Sequence, residues 1–246
     1  MRLLLLSNST NFGRGYLDHA VDEIAEHFKT ASGSTRRVLF VPFALTDQPG
    51  YWRKARDRFV ELGLELDRLI PDASAPGAVR AAEGFFVGGG NTFRLLAGLQ
   101  RCGALEEIRR RVLDGAPYMG ASAGTVISAP TIRTTNDMPI VQPASLAALR
   151  LVPFQINCHY LDADAASKHM GETREQRLRE FHEESDAENQ VPVVGLREGA
   201  ILKARRSPGA ELTVSLAGTA GARIFRRGHP ALEQPPGSSL DQILRA

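Results

Sequence analysis

Ser122 lies at the centre of Gly120-Ala121-Ser122-Ala123-Gly124. The stretch fits the G-x-S-x-G pattern, in which a serine rides a sharp strand-to-helix turn with its hydroxyl pushed out of the sheet. Gly120 and Gly124 suit that turn, because they let strand and helix backbones approach closely and permit dihedrals that a β-carbon opposes. A serine hydroxyl is a weak nucleophile until a base takes its proton, and the base in turn needs an orienting acid. Small-residue turns are common, so the rest of the chain must supply those partners.

Of six histidines, His19, His27 and His182 fall in charge-rich helical segments, His229 in a polar tail and His169 in a polar loop. Those positions read as solvated surface. His159 differs: it follows the apolar run Leu151 to Ile156 through Asn157-Cys158, at a strand end, where α/β proteins place their sites. It is the candidate base. Two acids compete to orient it. Asp137 sits in the polar loop Pro130 to Ile140, and Glu198 follows the run Val191 to Leu196. An Asp beside an Asn also makes Asx turns and helix caps, so both acids stay open.

Acyl chemistry also needs donors for a developing oxyanion, and losing one costs about two to three powers of ten in rate. The backbone N–H groups of Ala123 and of the Gly88-Gly89-Gly90 loop, Gly89 and Gly90 in particular, are the candidates. The same glycines also suit a tight strand-to-helix turn capped by Asn91 or Thr92. They show neither the G-x-G-x-x-G spacing nor the lysine and hydroxyl of a P-loop, so a phosphate cradle is excluded.

The elements that must position these groups follow from periodicity. Strand-length apolar runs recur at Leu3 to Leu6, Val38 to Pro42, Leu64 to Ile70, Phe85 to Val87, Pro117 to Met119, Leu151 to Ile156 and Val191 to Leu196. Helical periodicity fills Leu17 to Phe28, Tyr51 to Leu62, Thr92 to Leu99 and Ala104 to Leu113. Such alternation predicts a parallel sheet covered on both faces, with ligands at the carboxyl ends of its strands. Beyond Gly199, the short runs Ile201 to Ala204, Glu211 to Leu216 and Ala222 to Phe225, separated by tight turns, predict an antiparallel meander appended to the sheet.

The 246 residues suffice for one large α/β domain, and no composition break divides them. Hydrophobic residues make up 43% and charged ones 24%, ordinary for a globular protein. With 30 basic and 28 acidic residues the formal charge is +2, too near balance to imply nucleic acid or an anionic membrane as partner. Two cysteines, Cys102 and Cys158, offer no metal spacing or disulfide framework and read as reduced and structural. The apolar start is shorter than the hydrophobic region of a signal peptide, so a cytoplasmic place is expected.

With these residues in hand, the chain resembles serine peptidase family S51. The resemblance rests on Leu3 to Thr10, Val87 to Phe93, Ser122-Ala123-Gly124, Pro130 to Ile140, Gln155-Ile156-Asn157 with His159, Gly171 to Arg177 and Gly195-Leu196. It covers the chain to about Gly199. The resemblance implies a three-layer α/β sandwich with a mainly parallel sheet, similar to class I glutamine amidotransferases (flavodoxin-like), carrying the antiparallel extension. It implies a serine-type dipeptidase that cleaves peptides with an amino-terminal aspartate, with Ser122 as nucleophile and His159 as base. Asp137 and Glu198 both match acids proposed as the third member. No metal or organic cofactor is implied, the partner is a small peptide, and the state is a monomer or homodimer.

An aspartyl substrate calls for a cationic partner, best a guanidinium whose fork matches a carboxylate. Arg174 is the first candidate and Arg133 the second, with Asn91 and Thr135 as polar neighbours; Arg174 and Arg177 also stand at spacings that pair with Glu172, Glu175 or Glu180 on a helix surface. Two positions depart from the family pattern: Ala121 stands where Trp is common before the nucleophile, and Cys158 where Pro precedes the histidine. A missing indole predicts a roomier pocket. The alternatives are an S51 aminopeptidase or cyanophycinase-like peptidase of broader specificity and, from another class, a non-catalytic domain binding an acidic metabolite.

Overall fold

The computed structural model describes residues 1–29, 37–164, 166–168, 170–184 and 186–241; His169 lies outside them. Along the chain run β1 (Arg2–Leu6), α1 (Val21–Phe28), β2 (Arg37–Val41), α2 (Gln48–Glu61), β3 (Glu65–Arg68), α3 (Ala75–Ala81), β4 (Gly84–Val87), α4 (Thr92–Arg101), α5 (Ala104–Leu113), β5 (Tyr118–Ala121) and the short α6 (Ala123–Val126). Then follow β6 (Gln155–Asn157), α7 (Arg174–Phe181), β7 (Val193–Leu196), β8 (Ala200–Arg205), β9 (Thr213–Gly218), β10 (Ala222–Phe225) and β11 (Leu232–Gln234).

The main sheet has seven strands in the order β3-β2-β4-β5-β1-β8-β9. The five from β3 to β1 are parallel, and β8 and β9 extend the β1 side antiparallel. Strands β2 to β5 follow the doubly wound order, with β1 in the fifth place. Period-two alternation explains the unbroken apolar runs. Leu3 and Leu5 of β1, Leu39 and Val41 of β2 and Phe85 and Val87 of β4 enter one core with Leu95, Leu99 and Ile108 of α4 and α5. Leu4, Leu6, Val38, Phe40, Phe86 and Met119 enter the other with Ile24, Phe28 and Phe59 of α1 and α2. Two buried faces under two helical covers make three layers.

The expected strand at 151–156 is mostly irregular. Leu151 and Val152 donate their N–H groups to Ser128 O, and Pro153 has no N–H to give a ladder. Only Gln155–Asn157 is strand, and it pairs in parallel with β7 in a separate four-stranded sheet, β11-β10-β7-β6. The tail divides between the sheets: β8 and β9 form a hairpin on the main sheet, whereas β10 crosses to β7, where Ile224 and Phe225 are buried. His27 and His182 are buried rather than solvated. His27 Nε2 lies 3.1 Å from Tyr118 O, and His182 Nδ1 lies 2.8 Å from Asn189 O. Among the described residues no helix is long and apolar enough to cross a membrane.

Candidate active site

The elbow after β5 is built by close backbone approach. Ser122 has φ 51° and ψ −111°, a strained conformation for a residue with a β-carbon, of order 1–3 kcal/mol. Its N–H donates to Leu6 O at the end of β1, and its carbonyl accepts from Thr125 and Val126 as α6 begins. A β-carbon on Gly124 would stand 2.0 Å from Val87 O, and one on Gly120 would stand 2.4 Å from Gly124 O. Glycine is required at both.

His159 follows β6, also at positive φ (54°). Its N–H donates to Ser7 Oγ at 3.0 Å, and that hydroxyl donates to Leu196 O at 2.9 Å. Asn136 Nδ2 donates to Cys158 O and Asn157 Nδ2 donates to Thr134 O, so the 130–140 loop is stitched to the strand carrying the histidine. Glu198 follows β7, and the next N–H, that of Gly199, donates to Asn8 Oδ1 at 2.8 Å. Ser7 and Asn8, directly after β1, therefore buttress both partners. Both are buried polar residues, in a stretch, Leu3 to Thr10, that carried the family resemblance without pointing to this supporting role.

These loops bring three side chains into line. Ser122 Oγ lies 2.8 Å from His159 Nε2, and His159 Nδ1 lies 2.8 Å from Glu198 Oε1. With the ring proton on Nδ1, the imidazole donates to the carboxylate and accepts from the serine hydroxyl. Asp137 belongs to another network. Its carboxylate accepts from Thr92 N–H at 2.7 Å and from Thr92 Oγ1, with Thr135 Oγ1 at 3.1 Å. Among the described residues none of its hydrogen bonds reaches His159.

The other expected residues divide. Gly89 N–H donates to Tyr51 Oη at 2.8 Å, so it is spent, whereas the N–H groups of Gly90 and Ala123 carry no hydrogen bond among the described residues. Those two remain the candidate oxyanion donors. Asn91 caps α4 by accepting from Arg94 N–H and donates to Met138 O. Arg133 is tied to Asp186 and Asn189 at 3.0 and 2.9 Å. Arg174, at the start of α7, lines a separate cavity with Asp162 and Arg177; burial, then Arg177, lowers its pKa from the usual guanidinium value.

In front of Ser122 and His159 opens a cavity of about 640 Å³, lined also by Asp137, Gly89, Gly90 and Lys54. Ala121 does not line it. Its methyl is buried in the core cluster that also holds Leu6, Met119 and Tyr51. Cys158 is likewise buried, with Sγ donating to Ser122 O at 3.5 Å. Burial, reinforced by Asp137, pushes its thiol far above the ordinary range.

An α/β sheet that presents an elbow serine to an imidazole defines the class, a serine hydrolase. The chain belongs to peptidase family S51, whose model matches residues 3–209. It is 48% identical over 244 residues to peptidase E of Streptomyces coelicolor, covering 99% of this chain and 95% of that protein. It is 43% identical over 244 residues to a probable alpha-aspartyl dipeptidase of Drosophila melanogaster, covering 99% and 97%. In fold it is similar to the crystal structure of a peptidase from an acI-B1 Actinobacterium, with a TM-score of 0.70 and 17% identity over 98% of this chain and 96% of that one.

Proposed function

We propose that this protein is a serine exopeptidase that hydrolyses dipeptides whose first residue is aspartate, through an acyl-enzyme on Ser122. The observation that carries the proposal is the line of two 2.8 Å contacts from Ser122 Oγ through His159 to Glu198. The substrate class is taken from the relatives, a peptidase E and an alpha-aspartyl dipeptidase.

His159 Nε2 takes the hydroxyl proton as Ser122 Oγ attacks the aspartyl carbonyl, and Glu198 holds the imidazolium and its tautomer. The N–H groups of Gly90 and Ala123 receive the oxyanion. His159 then protonates the departing amine, and water, deprotonated by the same ring, releases aspartate from Ser122. Asp137 stands in the cleft wall, anchored by Thr92, where its carboxylate suits the α-ammonium of the substrate.

A second reading, a broader S51 aminopeptidase or cyanophycinase-like peptidase, is favoured by the absence of both Arg133 and Arg174 from the cavity lining. Initial rates on Asp-X, Glu-X, Leu-X and β-aspartyl peptides separate the two. The aspartyl dipeptidase reading expects Asp-X to exceed Leu-X by at least about a hundredfold, since a site built for a polar group rejects the analogue lacking it. Comparable rates on Leu-X select the broader enzyme, and binding of acidic peptides without turnover selects a non-catalytic domain.

A further inference from the structure

The cavity facing Ser122 is polar in charge. Asp137 supplies negative charge beside the glycine loop, while the carboxylate of Asp47 is occupied in capping α2, accepting from Gly50 N–H at 2.9 Å. Lys54 is the single Lys or Arg among the lining residues. Among the described residues it forms no ion pair; its ammonium lies over the ring of Tyr16, 4.7 Å from the centroid, a weak contact at an exposed site.

The position of Lys54 is fixed from the nucleophile outward. A β-carbon on Gly89 would stand 3.1 Å from Ser122 Cβ, so the glycine loop borders the serine directly. Gly89 N–H is bound by Tyr51 Oη. Lys54 lies three residues beyond Tyr51 on α2, a spacing that puts both on one helix face about one turn apart. An unpaired cation thus stands within a small peptide's length of the reacting hydroxyl, in a cleft that the expected arginines do not enter.

We propose that Lys54 is a substrate-binding cation of this cleft and binds a carboxylate of the dipeptide. The inference rests on the dipeptidase reading. An Asp-X substrate carries two carboxylates, the aspartyl side chain and the carboxyl terminus of the departing residue, and both present the same chemistry to an ammonium.

The test compares wild type, Lys54→Met and Lys54→Arg on Asp-Leu, Asp-Leu amide and Asn-Leu. Lys54→Met is expected to raise KM for Asp-Leu about five- to tenfold with kcat within about twofold, the signature of lost binding common to ground and transition states. Lys54→Arg is expected to recover most of the loss, and the rise of KM with salt expected of wild type should flatten in Lys54→Met. An effect of Lys54→Met that disappears on the amide assigns the carboxyl terminus; one that disappears on Asn-Leu assigns the side chain. Wild-type KM and salt dependence in Lys54→Met overturn the proposal. If wild type fails to cleave Asp-Leu, the dipeptidase reading falls. Calorimetry of Asp-Leu with Ser122→Ala, with and without Lys54→Met, then decides the lysine separately, equal affinities overturning it.

Discussion

Glu198 Oε1 lies 2.8 Å from His159 Nδ1, on the opposite side of the ring from Ser122 Oγ, which lies 2.8 Å from Nε2. The His159 and Glu198 side chains are 41% and 54% exposed, so solvent screens any charge between them. In the proposed mechanism orientation and tautomer control are therefore the main service of this carboxylate. Glu198→Gln is expected to lower kcat about 10²- to 10⁴-fold with KM near wild type. Asp137→Asn instead unties Thr92 and loosens the 130–140 loop, losing about 1–3 kcal/mol of stability, and raises KM by weakening the α-ammonium contact with the smaller change in kcat. Steady-state kinetics on Asp-Leu and thermal melts of both variants check this; a larger kcat loss in Asp137→Asn would reverse the two roles.

Ser7 is fully buried and bridges His159 N–H to Leu196 O. Ser7→Ala strands both groups, at about 1–3 kcal/mol for a buried unsatisfied partner. Because His159 sits at positive φ and depends on that bridge, kcat should fall along with stability, whereas Ser7→Thr keeps the hydroxyl and should restore part of each. A melt and a kcat measurement on the two variants decide it.

The elbow tolerates no side chain at Gly124, where a β-carbon would meet Val87 O at 2.0 Å. Gly124→Ala must push β4 and α6 apart. The expected loss is at the upper end of, or beyond, the about 1–3 kcal/mol usual for overpacking. Urea denaturation gives the value, and a wild-type midpoint would contradict the close approach.

Cys158 touches the carbonyl of Ser122, but burial holds it as an unreactive thiol, because the thiolate is the reacting species. Iodoacetamide at neutral pH should leave activity intact and Cys158 unlabelled by peptide mass mapping. Inactivation in step with labelling of Cys158 would contradict this.

The positions of the reacting groups were legible because apolar runs end abruptly in polar residues: Met119 to Ser122, Ile156 to His159 and Leu196 to Glu198 each mark a strand end facing one cleft. Pairing was not legible. Asp137 and Glu198 were equivalent as residue types, and only the fold shows that Thr92 claims the first while β6 lies beside β7 and brings the second to the histidine. Arg174 and Arg133 do not line the cavity in front of Ser122, which was not legible either, since a sequence position does not say which cavity a long side chain reaches. Gly89 could not be distinguished from Gly90 without Tyr51, which comes from a helix 38 residues earlier. The four-stranded second sheet was hidden by the brevity of β6, three residues after a proline-interrupted apolar run.

On the proposed function Ser122 is the nucleophile of an aspartyl dipeptidase. The most direct measurement is Asp-Leu hydrolysis by purified wild type and Ser122→Ala, matched in melting temperature. Wild type is expected to release free aspartate, and the variant to lose about 10⁴-fold or more in kcat, with no activity regained on adding divalent metal. Hydrolysis by Ser122→Ala at the wild-type rate would contradict the account.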